Sequence, residues 1–321
     1  MAHVPEHVVI SRTDSIGDVL LTLPMTGLLK RMHPGVKVTF IGRTYTAPVL
    51  AHGAHVDRII TYEELQAGGR EGAVRLLKDL SADTFVHVFP DRRLAGWARS
   101  AGIPVRIGTS HRWWHWFTCD QRVDLGRRNS DLHEAQLNTG LLRPLGLEDV
   151  PTLNELVEAY GFTPPEPSDA VRAHLRPDRV NVILHPGSRG SAVEWGLSNF
   201  AQLIYGLDPL RYHCLITGTA REREGYAPRL PLDLSHVTDV GGAFGLEELI
   251  ALIGGAQALV AASTGPLHIA AASGIRAIGL YSPRRPIHPG RWAPLGRDAH
   301  ALVYDPACAE CRKGGPCDCI T

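Results

Sequence analysis

The hydrophobic positions of this 321-residue chain fall into short runs that are nearly continuous in apolar residues. A glycine-containing turn and a helical pattern follow most runs. Continuous runs are typical of parallel strands that are covered on both faces, and strands that alternate with helices predict an α/β protein with doubly wound sheets. The predicted strands lie at 7–12, 36–41, 56–60 and 84–89 in the first half, and at 179–185, 213–217, 237–240, 258–262 and 277–281 in the second.

A proline-rich segment, 161–168, separates the two series of strands. Its prolines cannot continue a helix or a central strand, so it is the predicted linker. A helical pattern at 131–147 is predicted to close the first domain. The chain is therefore expected to form two domains, 1–163 and 164–321. Ligands of open α/β sheets bind beyond the carboxyl ends of the strands, which predicts a site in the cleft between the domains.

Composition narrows the class of protein. Thirty-three basic residues balance 33 acidic residues, so no overall field attracts nucleic acid or anionic lipid, and any contact with a membrane or polyanion must come from a local patch. The first residues lack a signal-peptide pattern, and no apolar stretch is long enough to cross a bilayer. The expected location is the cytoplasm, with peripheral contact at the inner membrane left open.

The loop after the first predicted strand contains a single glycine, Gly17, followed by Asp18 and a helical pattern. The G-x-G-x-x-G arrangement of a dinucleotide site is absent. Taken alone, Asp18 is more simply interpreted as a helix N-cap than as a catalytic group.

Two loops of the second half suit a phosphate-bearing ligand. Ser188 and Arg189 follow the strand at 179–185 and can donate hydrogen bonds to an anion. Ser263, Thr264 and Gly265 precede a predicted helix in which Pro266 suits the first turn, and helix N-termini bind anions. His268 is as consistent with a structural role as with a binding role.

Two further loops offer groups for a nucleoside. Glu222 and Glu224 follow the strand at 213–217 and could hold a ribose diol, although acids are also common in a solvated first helical turn. Phe244 could cover a base, and the alternative is an ordinary glycine-rich turn.

Four cysteines, Cys308, Cys311, Cys317 and Cys319, lie close together near the end of the sequence. In a reducing compartment this spacing favours a structural zinc or iron site over disulfides, with reduced thiols as the alternative.

Arginines of the first half are the candidates for acceptor binding. Arg92 and Arg93 follow the strand at 84–89, and Arg12 ends the first strand. Arginines suit a phosphorylated acceptor. The aromatic run at 113–117 is consistent with a sugar-stacking surface, a membrane-facing patch or, most simply, core.

Together these segments resemble glycosyltransferase family 9, the ADP-heptose glycosyltransferases. The resemblance covers essentially the whole chain. It rests on R-T-D-S-I-G-D-V-L-L-T-L-P near the start, H-P-G-S with a later E-W, G-L-E-E-L, S-T-G-P-L-H-I-A-A-A and the terminal cysteines.

The resemblance implies a GT-B fold, with two facing Rossmann-like domains, and inverting transfer of a heptose from ADP-heptose without a catalytic metal. Asp18 is the implied base. Ser188, Thr264, Gly265 and His268 would contact the diphosphate, Phe244 would flank adenine, and Glu222 or Glu224 would hold the ribose. The implied partners are an ADP-sugar donor and a glycolipid, protein or small-molecule acceptor.

Two positions depart from the family pattern. Relatives often carry a lysine shortly before the tryptophan of the H-P-G-S segment, and none stands in 191–195, where Arg189 is the candidate substitute. Many relatives have an acid at the position of Ser263. A nucleotide-sugar epimerase and a non-catalytic sugar-nucleotide-binding homologue are the alternatives to a transferase.

Overall fold

The computed structural model describes residues 3–127 and 130–313, which divide into two compact units, Met1–Thr163 and Pro164–Thr321. Within the described part of the chain, no helix is long and apolar enough to cross a membrane.

Unit 1 contains one six-stranded parallel sheet in the order β3-β2-β1-β4-β5-β6. The strands are β1 (His7–Ser11), β2 (Lys37–Gly42), β3 (Arg58–Thr61), β4 (Thr84–His87), β5 (Val105–Thr109) and β6 (Gln121–Val123). The helices are α1 (Ile16–Leu20), α2 (Leu23–Met32), α3 (Ala47–Ala51), α4 (Tyr62–Ala67), α5 (Gly69–Asp79), α6 (Arg92–Ser100), α7 (His115–Thr118), α8 (Glu134–Thr139) and α9 (Leu153–Glu158), with 3-10 turns at Thr44–Thr46 and Gly140–Leu145.

Unit 2 repeats this arrangement in the order β12-β11-β10-β7-β8-β9. Its strands are β7 (Val180–His185), β8 (Tyr212–Ile216), β9 (Val237–Asp239), β10 (Ala258–Ala262), β11 (Arg276–Tyr281) and β12 (Ala299–Val303). Its helices are α10 (Asp169–Arg172), α11 (Leu197–Gly206), α12 (Ala220–Tyr226), α13 (Leu246–Gly255), α14 (Gly265–Ala272), α15 (Pro289–Trp292) and α16 (Ala309–Lys313).

The core of each unit lies against its sheet. Phe40, Phe85 and Phe200 are among the largest buried side chains, and β1 and β4 are buried along nearly their whole length. Two helices of unit 1 pack closely where a side chain is missing: a Cβ on Gly27 of α2 would lie 2.1 Å from the carbonyl oxygen of Ala159, at the end of α9. The predicted doubly wound α/β class is confirmed.

The sequence pattern missed three strands, β5, β6 and β12. Each has a mixed or exposed burial pattern, so none forms a continuous apolar run. The helix predicted at 131–147 is shorter: α8 ends at Thr139, and a 3-10 turn that contains Pro144 follows it. A proline inside a helix removes a backbone hydrogen bond, which accounts for the change.

Candidate active site

In both units the strand order reverses once, and the candidate loops lie beside that point. In unit 1 the reversal falls between β1 and β4, which pair in parallel with Ser11 opposite His87. In unit 2 it falls between β7 and β10, with His185 opposite Ala261. Ligands of doubly wound sheets bind at such switch points. The Asp18 and Arg92 loops flank one of them, and the Ser188 and Thr264 loops flank the other.

Asp18 is the third residue of α1 and not its N-cap. Ser15 has extended backbone angles and caps the helix, because its Oγ accepts from the Asp18 backbone N–H at 3.5 Å. The Ser15 hydroxyl also donates to the Asp18 carboxylate at 2.5 Å. The N-cap interpretation of Asp18 is therefore wrong. Its side chain, 16% exposed, is placed by the cap and reaches solvent.

Arg12 holds the Asp18 carboxylate in place through an ion pair. The guanidinium is only 5% exposed, and its Nε donates to Asp14 Oδ1 at 2.7 Å. Its Nη1 lies 3.5 Å from Glu134 Oε1. Burial by itself lowers the pKa of Arg12, but the Asp18 and Asp14 carboxylates outweigh that effect and raise it. Arg12 therefore stays protonated, and its N–H groups are directed at acidic side chains of unit 1.

The carboxylates around Arg12 differ in environment. Burial raises the pKa of Asp14 to about 6, against the lowering effect of Arg12. Glu134 is 1% exposed and also pairs with Arg127, so it belongs to the interior of the unit. Neither Asp14 nor Glu134 was predicted from the sequence to belong to this cluster. Asp14 lies within the R-T-D-S-I-G-D motif, whereas nothing in the local sequence marks Glu134.

Arg92 and Arg93 open the helix that follows β4, where the Asp91 side chain accepts from the Leu94 N–H at 2.7 Å. An open cavity of about 760 Å³ lies beside them. Arg70 is a third arginine on its wall, and Trp97 contributes an aromatic face. Three guanidinium groups around one cavity favour an anionic ligand.

In the Ser188 loop of unit 2, the side chain of Glu194 occupies the hydrogen-bond donors of Ser188. Glu194 Oε1 accepts from the Ser188 backbone N–H at 2.7 Å and from its hydroxyl at 2.9 Å. These are donors that a phosphate would use. Arg189 adopts a left-handed backbone, φ 52°, and is exposed. Glu194 belongs to the E-W pair of the family motif, but its contact with Ser188 was not predicted from the sequence.

The Glu222 side chain lies beside the same loop. A Cβ on Gly187 would come within 2.5 Å of Glu222 Oε1, so the missing side chain of Gly187 leaves room for the Glu222 carboxylate in its present position. Glu222 also closes the capping box of α12, since Oε2 accepts from the Thr219 N–H at 2.7 Å. Glu224 is exposed and makes no such contact with the loop. Of the two glutamates, Glu222 is the one that the fold places at the switch point.

The turn before α14 carries the clearest sign of a ligand. Thr264 is the N-cap, yet its side chain makes no capping hydrogen bond. It is 6% exposed, and its Oγ1 is buried without a hydrogen-bond partner in the described structure. Gly265 and Pro266 form the first turn of the eight-residue helix. Buried hydroxyls are normally satisfied, so this one indicates a missing acceptor or donor.

Three other candidates lie near these loops. His268, in the same helix, is 3% exposed. Ser263 is half-buried and contacts the Tyr281 hydroxyl. Phe244 is half-buried and packs edge-to-face on His174, with ring centroids 5.4 Å apart.

The terminal cysteines are described only in part. Cys311 is 4% exposed, and its Sγ accepts from the Ser282 hydroxyl at 3.4 Å. Cys317 and Cys319 lie outside the described residues. Within 3–127 and 130–313, no group of three or more His, Cys, Asp or Glu residues could hold a metal ion.

Comparison with known proteins places this geometry in a family. A model of glycosyltransferase family 9 (heptosyltransferase) matches residues 97–318. A Haemophilus influenzae protein named as a glycosyltransferase, without a stated substrate, is 26% identical over 319 residues, or 95% of this chain and 91% of that protein. Lipopolysaccharide heptosyltransferase 3 of Escherichia coli is 24% identical over 285 residues, or 83% of this chain and 80% of that protein.

Solved structures agree on the fold. The E. coli heptosyltransferase WaaC with ADP has a TM-score of 0.73 at 18% identity, with 94% of each chain covered. Two Rossmann-like units of this kind confirm the predicted GT-B class. The family model, which matches well over half of the sequence, shows that this chain belongs to glycosyltransferase family 9 and is a glycosyltransferase.

Proposed function

We propose that this glycosyltransferase moves a heptose from ADP-heptose to an acceptor hydroxyl with inversion at the anomeric carbon. The family supports heptosyl transfer, and WaaC has been solved with ADP and with ADP-2-deoxy-2-fluoro heptose. The observation that carries the proposal is the buried, unpartnered Thr264 hydroxyl at the start of α14, beside the switch point of unit 2.

The donor diphosphate would bind at the amino end of α14. The first N–H groups of a helix and its dipole favour an anion, and the Thr264 hydroxyl would complete its hydrogen bonding. Ser188, Gly265 and His268 are the other proposed diphosphate ligands. Ser188 lies across the switch point, and its donors, which Glu194 occupies, would become available to the diphosphate if Glu194 moved away.

The nucleoside would extend from this point over the β8 and β9 loops. Glu222 is the proposed ribose ligand, because it lies against Gly187 whereas Glu224 is exposed. Phe244 is the proposed cover for adenine. Arg189 is the proposed counter-charge where relatives have a lysine, and Ser263 would face the heptose.

Asp18 is the proposed catalytic base. A sugar hydroxyl is a poor nucleophile, and a carboxylate within hydrogen-bond reach would accept its proton as the oxygen attacks. The new bond joins the acceptor oxygen to the anomeric carbon, the bond from that carbon to the diphosphate breaks, and ADP leaves with the bonding electrons. Arg12 would act as a positioning residue, because it is buried and fixes the Asp18 carboxylate.

The arginine-lined cavity of unit 1 is the proposed acceptor side. Arg92 and Arg93 lie on its wall with Arg70. Guanidinium groups bind phosphate or carboxylate well, which favours a phosphorylated acceptor such as a glycolipid over a neutral one.

The tail would hold a structural zinc or iron and contribute nothing to the chemistry, for which no cofactor is proposed. Cys308 and Cys311 would provide two of four thiolate ligands, with Cys317 and Cys319 as the others. The spacing of the four thiols is the only support for this part of the proposal.

Calorimetry with ADP, UDP and GDP tests the donor class, and product analysis with ADP-heptose distinguishes transfer from binding alone. Thr264→Val removes the hydroxyl and keeps the shape. We expect it to weaken ADP binding about tenfold, the usual effect of losing one hydrogen bond to a charged ligand. Ser273→Ala is the matched control, because the Ser273 hydroxyl is also buried and unpartnered but lies at the other end of α14. Equal ADP affinity in both variants would remove this turn from the site.

A further inference from the structure

Three large aromatic side chains project from unit 1 into solvent within five residues of one another. Trp113 is 58% exposed, Trp116 59% and Phe117 68%. The simplest prediction from the sequence was that the run 113–117 lies in the core. In the structure only His115 of this run is fully buried. The exposed side chains lie on α7 and the turn before it, in the connection that follows β5. A single exposed aromatic side chain is ordinary, but a cluster of them indicates an interaction surface.

Hydrogen bonds and a ring contact tie the segment to its surroundings. The Trp116 indole N–H donates to the Ser110 carbonyl at 3.2 Å, and Arg99 donates to the Phe117 carbonyl at 2.8 Å. Trp113 and Phe117 pack edge-to-face, with ring centroids 6.5 Å apart. The aromatic rings are therefore presented in a defined arrangement.

Arginines surround these rings. Arg92 lies 4.8 Å from the Trp113 ring centroid, and Arg122 lies 4.8 Å from that of Trp116. Arg112 stands beside Trp114. None of the three forms an ion pair with a residue that the structure describes. The nearby acids Asp120 and Asp124 are already bound, to Arg106 and His111 respectively. The surface is consequently both aromatic and positively charged.

We propose that this aromatic–arginine surface docks the protein on an anionic lipid bilayer. Tryptophan prefers the membrane interface because its ring is amphipathic, and arginines beside it would meet the lipid phosphates. A second copy of the chain is a poorer occupant, because a two-fold contact would place this positively charged surface against an identical one.

The aromatic–arginine surface lies next to the cavity of unit 1. Arg92 both lies over Trp113 and lines the cavity of unit 1, so docking would bring that cavity to the lipid headgroups. This step rests on the proposed acceptor side. Binding to the bilayer itself does not, because it requires neither donor nor acceptor.

The test is co-sedimentation of the full chain with vesicles of phosphatidylcholine alone and of phosphatidylcholine with about one-third phosphatidylglycerol. We expect binding to the anionic vesicles and a blue shift of tryptophan emission. Each arginine near such a surface contributes roughly fivefold in partitioning, so Arg112→Glu with Arg122→Glu should lower binding at least about 25-fold.

Trp116→Ser with Phe117→Ser should lower binding to vesicles while leaving transfer to a water-soluble acceptor unchanged. Tyr205→Ser with Tyr304→Ser is the matched control, because these residues are 69% and 90% exposed but lie in unit 2. The proposal would be overturned if the wild-type protein did not bind anionic vesicles, or if the aromatic variants bound them as tightly as the control variant. A wild-type dimer that the aromatic variants dissociate would assign the surface to a second copy instead. None of these outcomes bears on ADP-heptose transfer.

Discussion

Replacing Asp18 by asparagine separates the proposed base from its structural surroundings. Asparagine has nearly the same shape and can still accept a hydrogen bond from the Ser15 hydroxyl. The cap of α1 is unaffected, because Ser15 and not Asp18 provides it. What the substitution removes is the negative charge, and with it the basicity and the ion pair with Arg12.

The structural cost can be bounded from the cluster around Arg12. Removing one partner of a fully buried ion pair costs about 3–5 kcal/mol, and removing an exposed partner costs about 0–1 kcal/mol. Asp18 is 16% exposed, and Arg12 keeps Asp14 at 2.7 Å and Glu134 at 3.5 Å. We therefore expect a loss of about 1–2 kcal/mol in the free energy of unfolding. A domain of ordinary stability, about 5–15 kcal/mol, then remains almost entirely folded.

The catalytic cost should be larger and of a different kind. General-base catalysis contributes about 10²–10⁴-fold, so Asp18→Asn should lower kcat by that factor. The affinity for ADP should stay the same, because the proposed nucleotide loops all belong to unit 2. Initial rates of ADP release at saturating ADP-heptose, calorimetric binding of ADP and thermal unfolding provide the three measurements.

Asp14→Asn is the matched control. It removes a neighbouring carboxylate from the same arginine and should lower kcat by less than about tenfold. Near-normal turnover of Asp18→Asn would refute the base assignment. Equal losses in both variants would show that the arginine cluster as a whole, rather than Asp18, sets the rate.

Three further predictions follow from unit 2. Glu194→Gln should bind ADP about tenfold more tightly by calorimetry, because a charged competitor for the Ser188 donors is removed; weaker binding would show that Glu194 orders the loop for the ligand. Burial lowers the pKa of His213 from 6.5 to about 4. Between these pH values the imidazole is protonated in the unfolded chain and neutral in the folded protein. Stability should therefore fall as the pH drops from about 6.5 to 4, and urea unfolding of His213→Gln should lack this part of the dependence. Elemental analysis should find about one zinc or iron per chain and should lose it in Cys311→Ser, whereas metal-free wild-type protein would exclude the structural metal.

Several features of the candidate site were predictable because they are local. Helix signals depend on neighbouring residues, so the small residues before α14 and Pro266 in its first turn correctly predicted a helix that begins beside Thr264. The cap of α1 was harder, because Ser15 and Asp18 are both good N-cap residues and only the extended backbone of Ser15 decides between them.

The α/β class and the motifs of the family were predictable from local patterns, because buried parallel strands require continuous apolar runs and turns require particular residues. Tertiary structure alone decided which loops are neighbours, since pairing of β1 with β4 and of β7 with β10 joins segments far apart in the chain. It also decided the surroundings of Arg12, whose partner Asn138 lies 126 positions away. Burial of Glu134 and exposure of Trp116 depend likewise on the packing of whole elements, which no local pattern records.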